Sequence, residues 1–443
     1  MLVKFQVHKK LKQLLEQDLQ NKVQPSKTHH KGMNTYFFGD NRQGKCGIGN
    51  DEAFVVKPQC VMTKLKLITS GHHHNLALDK NKVLYAWGRN RFGQLGQGIA
   101  DEDLKDGEES GLNNFIPQPV KGPLLNVVID QVACGWQHSM ATTKSGFLFA
   151  WGLNMSGQLG VGDFIDRSQP EHIKILAEHQ ITSISAGHLH SGAITSTGKL
   201  FMWGANPDCR LVKKLEYYQR SGRTKNYCNP QYCEAMALKH ITQISCGTTH
   251  TLILDQEGYA YSAGCSDDGQ LGVIHYQFAP KICEQPFVYL SVFTRDNPGK
   301  KVSAGDGFSV FLDTLGNVYT CGKANFGRLG QGHQYSLNNP TRIGWFSKNN
   351  ILIKDVEAGG RHCLAISNEA VPKLYGWGFG FYHQLGQKGD TEDCLDPVKI
   401  QIIENEIREN EGDPSKRQVI IKQKAVKRIA AGYFHSGVIL KDK

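Results

Sequence analysis

The stretch VLYAWGRNRFGQLGQG, residues 83–98, decides how the rest of the chain is read. It joins an apolar run ending at Trp87 to a turn rich in glycine, the composition of a short strand entering a tight loop. The pattern returns as FLFAWGLNMSGQLGVG at 147–162, NVYTCGKANFGRLGQG at 317–332 and KLYGWGFGFYHQLGQKG at 373–389. A shorter copy, YAYSAGCSDDGQLG, occupies 259–272, and weaker ones are YFFGDNRQGKCGIG at 36–49 and KLFMWGANPDC at 199–209. A second element alternates with the first: a strand, a G-x-x-H turn and a returning strand, as in ITSGHHHNLAL around Gly71 and VACGWQHSMA around Gly135. Its other copies are centred on Gly187, Gly247, Gly305, Gly359 and Gly432.

Seven copies of each element make a repeat architecture. The first element opens the series at Gly39 and the second closes it at Gly432, so the chain ends carry two halves of one unit. That arrangement predicts an all-β, seven-bladed propeller of about four strands per blade, closed by strands from both termini, with only short, protected edges. An open solenoid would need atypical capping repeats instead. The propeller is assigned to residues 36–443, with insertions at about 99–115, 207–239 and 402–427; residues 1–35 form an N-terminal extension.

The pairing of ACGxxHSLAL with YxWGxNxxGQLGxG resembles the regulator of chromosome condensation repeat, and the resemblance runs from Tyr36 to about Lys441. WD-repeat propellers differ, because their Trp-Asp dipeptide is absent here, and kelch blades differ because the only Gly-Gly doublet is Gly359–Gly360. The resemblance implies the propeller fold. Its founding activity is guanine nucleotide exchange on the small GTPase Ran, achieved by distorting the nucleotide site without a covalent step. Chromatin-bound members add a basic N-terminal tail and histone contacts. Many other proteins similar to the family use the ring as a non-catalytic docking platform in cytoplasmic, organellar, ciliary or ubiquitin-ligase assemblies.

The chain of 443 residues carries a formal charge of +10, which permits nucleic-acid contact without demanding it. Residues 1–35 hold seven lysines against Glu16 and Asp18. Val3, Val7, Leu11, Leu14, Leu15 and Leu19 fall there at helical spacing, which predicts an amphipathic helix. Packing on the ring, binding a partner, serving as a presequence and lying on a membrane surface all remain open for it. No secretory signal and no run of about 18 apolar residues is present. The cysteines are scattered and several sit inside repeat strands. We therefore expect a soluble protein of a reducing intracellular compartment, cytoplasm or nucleus, with a ciliary or organellar assembly open.

The insertions differ in character. GDNRQGKC at 39–46 imitates a phosphate-binding loop but ends in Cys46, where Ser or Thr would be needed for magnesium; it aligns as another repeat copy. Residues 99–115 are acidic and read as a solvated loop or a contact for a basic partner. Residues 207–239 interleave basic side chains with tyrosines. Arg210, Tyr217, Tyr218, Arg220 and Arg223 are the candidate contacts there, for a protein or for nucleic acid, against a purely structural excursion. Cys209, Cys228 and Cys233 lie in the same stretch, but Cys209 lacks a close mate for a zinc pair. Residues 402–427 predict a helix followed by an outer strand, RQVIIK.

No triad, paired carboxylates or dinucleotide fingerprint appears. We expect no catalytic, cofactor-binding or metal-binding residues, and no covalent catalysis. His74, His138, His190, His250, His362 and His435 share one repeat position, with Phe308 in the seventh copy. A residue recurring once per blade is expected to satisfy backbone groups rather than to do chemistry. The two positions between Gly and His vary from blade to blade, as a binding face would. Trp136, Gln137, His188, Arg361, Tyr433 and Phe434 are the candidate protein-binding residues there.

These residues predict a scaffold that binds a protein through one face and its inserted loops, a monomer within a larger assembly. Exchange on a Ran-type GTPase is the competing expectation, with that GTPase or histones as partner and nucleic acid not the main ligand. In the exchange factors the third G-x-x-H turn carries an acidic residue just before its His, where this chain has Leu189. They also carry a wedge-like insertion in the third blade. Here that blade is expected to hold the regular GLNMSGQLGVGD at 152–163, with the irregular stretch, 207–239, one blade later.

Overall fold

The computed structural model describes residues 33–98, 113–211, 225–273, 287–387, 392–402, 404–410, 413–422 and 424–441. Seven four-stranded antiparallel sheets are arranged around an axis, each blade numbered here from its G-x-x-H turn. Blade 1 runs outward through Leu65–Ser70, His74–Asp79, Leu84–Gly88 and Asn114–Pro119. Blades 2 to 6 repeat that order over residues 129–172, 181–232, 241–289, 299–342 and 353–400. Blade 7 takes its two inner strands, Ala425–Ala431 and His435–Lys441, from one end of the chain, and its two outer strands, Asn34–Asp40 and Phe54–Thr63, from the other. Asn34 pairs with Leu440 and Gly39 with His435, so the ring closes by hydrogen bonding between the two ends, as the split repeat unit predicts.

The second strand of each blade is packed on both faces by its neighbours. Its residues are therefore buried almost without alternation, as in Phe308–Asp313, FSVFLD. Innermost strands, exposed to the axis on one side, alternate more. The WG element supplies the joint between blades. Trp87, Trp151, Trp203 and Trp377 are fully buried, and Trp151 Nε1 donates to the Gln94 carbonyl of the preceding blade at 2.9 Å. Trp203 does the same to Gln158 at 2.9 Å and Trp377 to Arg328 at 3.1 Å. At these junctions the GQLG loop of one blade is the acceptor for the tryptophan of the next, whereas blades 4, 5 and 7 carry Ala263, Cys321 and Phe38 at that position.

Two expectations are corrected. Residues 402–427 contain no helix among the described residues; Glu404–Asn410 and Asp413–Lys422 pair as an antiparallel hairpin between blades 6 and 7. The strands that flank the irregular stretch from Pro207, Leu200–Gly204 and Tyr227–Tyr232, belong to the same blade as the third G-x-x-H turn, blade 3, whose second strand begins at His190. The expected N-terminal helix, most of the acidic 99–115 loop, and Tyr217, Tyr218, Arg220 and Arg223 lie outside the described residues. No helix among the described residues is long and apolar enough to cross a membrane.

Candidate protein-docking face

The G-x-x-H turns build one face of the ring from the axis outward. At six of the seven turns the residue after the glycine donates its N–H to the carbonyl of the next blade's turn glycine, as His72 to Gly135 at 3.3 Å, Trp136 to Gly187 at 3.1 Å and Tyr433 to Gly71 at 3.2 Å. The turns approach so closely that a Cβ on Gly71 would lie 2.3 Å from the Gly135 carbonyl oxygen, and one on Gly359 would lie 2.4 Å from that of Gly432. Glycine is required by contact between blades. The residue before each His accepts from the WG loop through its carbonyl, as Arg89 N–H to His73 and Phe379 N–H to Arg361, both at 2.9 Å. Both repeat elements therefore meet on this face.

The two variable positions separate. First-position side chains turn to the axis and cover the end of a channel of about 380 Å³. The rings of His72 and Tyr433 lie 3.5 Å apart between centroids, and those of Trp136 and His188 lie 4.2 Å apart. Tyr433 Oη donates to Asp306 Oδ2 at 2.9 Å across the mouth. Tyr433 leans over Gly360, where a Cβ would sit 2.2 Å from the ring. Burial, then the charge of Arg210, lowers the His188 pKa to about 4. Burial likewise holds His72 far below the ordinary histidine range, so both histidines of the plug are neutral at neutral pH.

Second-position residues spread over the face. The Arg361 guanidinium is surrounded by the rings of Phe326 and Phe434, each at 5.4 Å, and of Phe379 and Tyr433, each at 5.9 Å. The aromatic sector continues: Tyr382 lies 4.8 Å from Phe434, and Phe54 lies 5.6 Å from Tyr382. Arg42 sits 4.9 Å over the Tyr382 ring. Phe381, 54% exposed, lies 6.2 Å from Phe379. Arg361, Tyr433 and Phe434 are thus brought together in blades 6 and 7, while Trp136 and His188 join Tyr433 at the axis. Gln137 is only 4% exposed and belongs to neither surface. The ring around Arg361 was missed in the sequence. Its signal was GFGFYH at 378–383, where blade 6 departs from WGxNxxGQLG by inserting aromatics.

The repeated histidines lie behind this face, fully buried. Each Nε2 reaches a side chain of the next blade: Ser139 from His74 at 2.8 Å, Ser191 from His138 at 2.9 Å, Thr251 from His190 at 3.0 Å, Ser309 from His250 at 2.9 Å. His362 meets Ser436 at 2.8 Å and His435 meets Asn75 Oδ1 at 2.7 Å. Ser139 and Ser191 each donate onward to a GQLG carbonyl at 2.8 Å, so the imidazole must donate through Nε2–H. The Nδ1 atoms have no partner, which fits a neutral ring. Blade-to-blade bonding, not convergence on a reaction centre, is what these residues do.

Arg210, expected as a contact of the inserted loop, is instead part of the wall. It is 5% exposed, donates to the Thr248 carbonyl at 2.8 Å and pairs with Asp208. It occupies the Gln position of GQLG, and its own carbonyl accepts from Thr251. Cys209 is disulfide-bonded, which removes its thiolate from any set with Cys228 and Cys233. Among the described residues no three His, Cys, Asp or Glu are grouped to hold a metal ion.

Known proteins are similar to this chain. The ultraviolet-B receptor UVR8 of Arabidopsis thaliana is 29% identical over 337 residues, covering 76% of this chain and 70% of that protein. The probable E3 ubiquitin-protein ligase HERC6 of Homo sapiens is 30% identical over 67% of this chain, but the match spans only 27% of that protein. Prp20p from Saccharomyces cerevisiae, described with its binding to Gsp1p and histones, superposes with a TM-score of 0.72 at 19% identity, covering 97% of this chain and 95% of that one. Residues 66–94 match the regulator of chromosome condensation (RCC1) repeat, and residues 105–413, most of the ring, match the RCC1-like domain. With seven four-stranded blades built from its repeats and its ring closed by both ends, the chain belongs to the RCC1-like domain family.

Proposed function

We propose that this chain is a non-catalytic docking platform whose turn face binds a partner protein through the aromatic sector centred on Arg361. One observation carries the proposal: a guanidinium held among four aromatic rings, with no ion-pair partner among the described residues and its Nε–H buried without an acceptor. Arg, Tyr and Trp in partly buried, rigid settings are the side chains that dominate binding energy at interfaces. The fitting partner presents an apolar side chain to Phe381 and Phe434 and a carboxylate or carbonyl to Arg361. Capture from native extract tests this, comparing the intact chain with a variant carrying Trp136→Ala, Arg361→Ala and Phe434→Ala. A defined set of proteins lost with the variant supports the reading, and unchanged capture by a folded variant overturns it.

Exchange on a Ran-type GTPase is the second reading. What favours it is that Leu189 and the irregular stretch from Pro207 belong to one blade, with Gly204, just before that stretch, pairing with His190 at the turn face. Nucleotide release from Ran in the presence of micromolar chain decides between the two. Acceleration would put exchange first despite the leucine at position 189.

A further inference from the structure

At the end of the axis opposite the turns, the seven innermost strands begin, each with a bulge near its first residues. Five residues before the turn glycine, blades 5, 6, 7 and 1 carry Lys300, Lys354, Lys427 and Lys66. The same place in blades 2 to 4 holds Asp130, Thr182 and Thr242. Arg428 follows Lys427, so five cations stand on one continuous arc of this mouth.

The local carboxylates are already committed. Lys301 Nζ lies 2.6 Å from Asp355 Oδ1 and 3.5 Å from Glu357 Oε1, and Asp130 pairs with Lys82 at 2.5 Å. Lys300 Nζ donates to the Lys354 carbonyl at 3.1 Å, and Lys354 Nζ reaches the Val426 carbonyl at 3.5 Å. Backbone oxygens therefore orient these two ammonium groups without neutralising them. The pKa of Lys354 is lowered by burial and by Lys300, against the pull of Asp355. That of Lys427 is lowered by burial, then by Arg428, Lys66 and Lys441. Lys300, Lys354 and Arg428 border an open recess of about 570 Å³ together with Gln243, Lys301 and Asp355.

We propose that this mouth binds a compact polyanion, a small molecule bearing several phosphate groups. Like-charged groups held around a concavity repel one another, and an anion seated among them removes that repulsion while accepting charge-assisted hydrogen bonds from each. An arc around a recess of this size suits clustered phosphates on a small ring, whereas a duplex is tracked by a stripe along a surface. The site lies at the far end of the axis from the docking face and does not rest on it.

Calorimetry of the full chain with inositol hexakisphosphate, at about 0.15 M salt to screen diffuse attraction, tests the assignment. The expected result is saturable one-to-one binding that weakens at least about tenfold, the equivalent of about 1.4 kcal/mol, in the variant Lys300→Gln, Lys354→Gln, Arg428→Gln. Its melting temperature and partner capture should stay those of the parent chain, and Lys300→Arg with Lys354→Arg should retain binding. Sedimentation with vesicles containing phosphatidylinositol bisphosphate, lost in the same variant, would identify a lipid headgroup as the source of the phosphates. Absence of saturable binding, binding indifferent to the triple variant, or displacement of the probe by a stoichiometric short DNA duplex would each overturn the proposal.

Discussion

Phe308 and Cys363 are a matched departure from the blade-to-blade bond. At the other six junctions a turn histidine meets a hydroxyl or amide of the next blade; here the ring is a phenyl and the facing position a thiol, both fully buried in one apolar cluster. Cys363 Sγ keeps the onward contact to the Arg328 carbonyl at 3.6 Å, and the Arg328 guanidinium lies 5.8 Å from the Phe308 ring. The junction has exchanged a hydrogen bond for apolar contact on both sides at once, so no polar group is left unpaired.

Changing one member of the pair should therefore cost more than changing both. Phe308→His buries an imidazole N–H against a thiol and is expected to destabilise the ring by about 1–3 kcal/mol. Adding Cys363→Ser should recover about 1 kcal/mol of that. Denaturant unfolding of the parent, both single variants and the double variant measures the coupling. Strict additivity would mean that the two positions do not interact.

The buried histidines make the ring acid-sensitive. Burial lowers the pKa of His74, His138, His250 and His362 to about 3, and holds those of His190 and His435 well below the ordinary value. In the unfolded chain each titrates near about 6.5. Between these values the unfolded state binds protons that the folded state refuses, so stability is complete above about pH 6.5 and falls as the pH drops toward 3. Melting temperature against pH should bend downward at that point. His138→Asn should reduce the slope, and a profile flat to pH 4 would contradict the neutral assignment.

Gly71→Ala places a methyl group 2.3 Å from the backbone oxygen of Gly135. Neither partner is a flexible side-chain end, so the turn ring must open at that junction. A loss of about 2 kcal/mol or more is expected, above the usual effect of a point change. Gly344, with nothing within 4 Å of an added Cβ, is the control, and Gly344→Ala should change the melting temperature little.

Arg361→Lys should fail to substitute for Arg361 in partner capture. A lysine keeps the charge but loses the planar group that stacks among Phe326, Phe379, Tyr433 and Phe434. Affinity is expected to fall by about 2 kcal/mol or more, with little change in thermal stability. Equal binding by the lysine variant would reduce the site to a simple positive charge.

The sequence by itself determined the number of blades, the closure by both ends and the place of the turn histidines. Those properties are written in spacing: WGxNxxGQLG and G-x-x-H recur because the same strand pairs and the same junction recur, and a period survives in one dimension. It could not determine which junction partner each histidine meets, since Ser139, Ser191 and Thr251 lie one blade further along the chain. Nor did it separate the inward plug of Trp136 and His188 from the outward sector of Arg361 and Phe434, because adjacent turn residues differ only in direction. Arg210 read as a free contact until packing showed it filling the place of a glutamine. The basic mouth was invisible for the same reason. Lys66 and Lys427 stand more than three hundred residues apart and become neighbours only when the last strand pairs with the first.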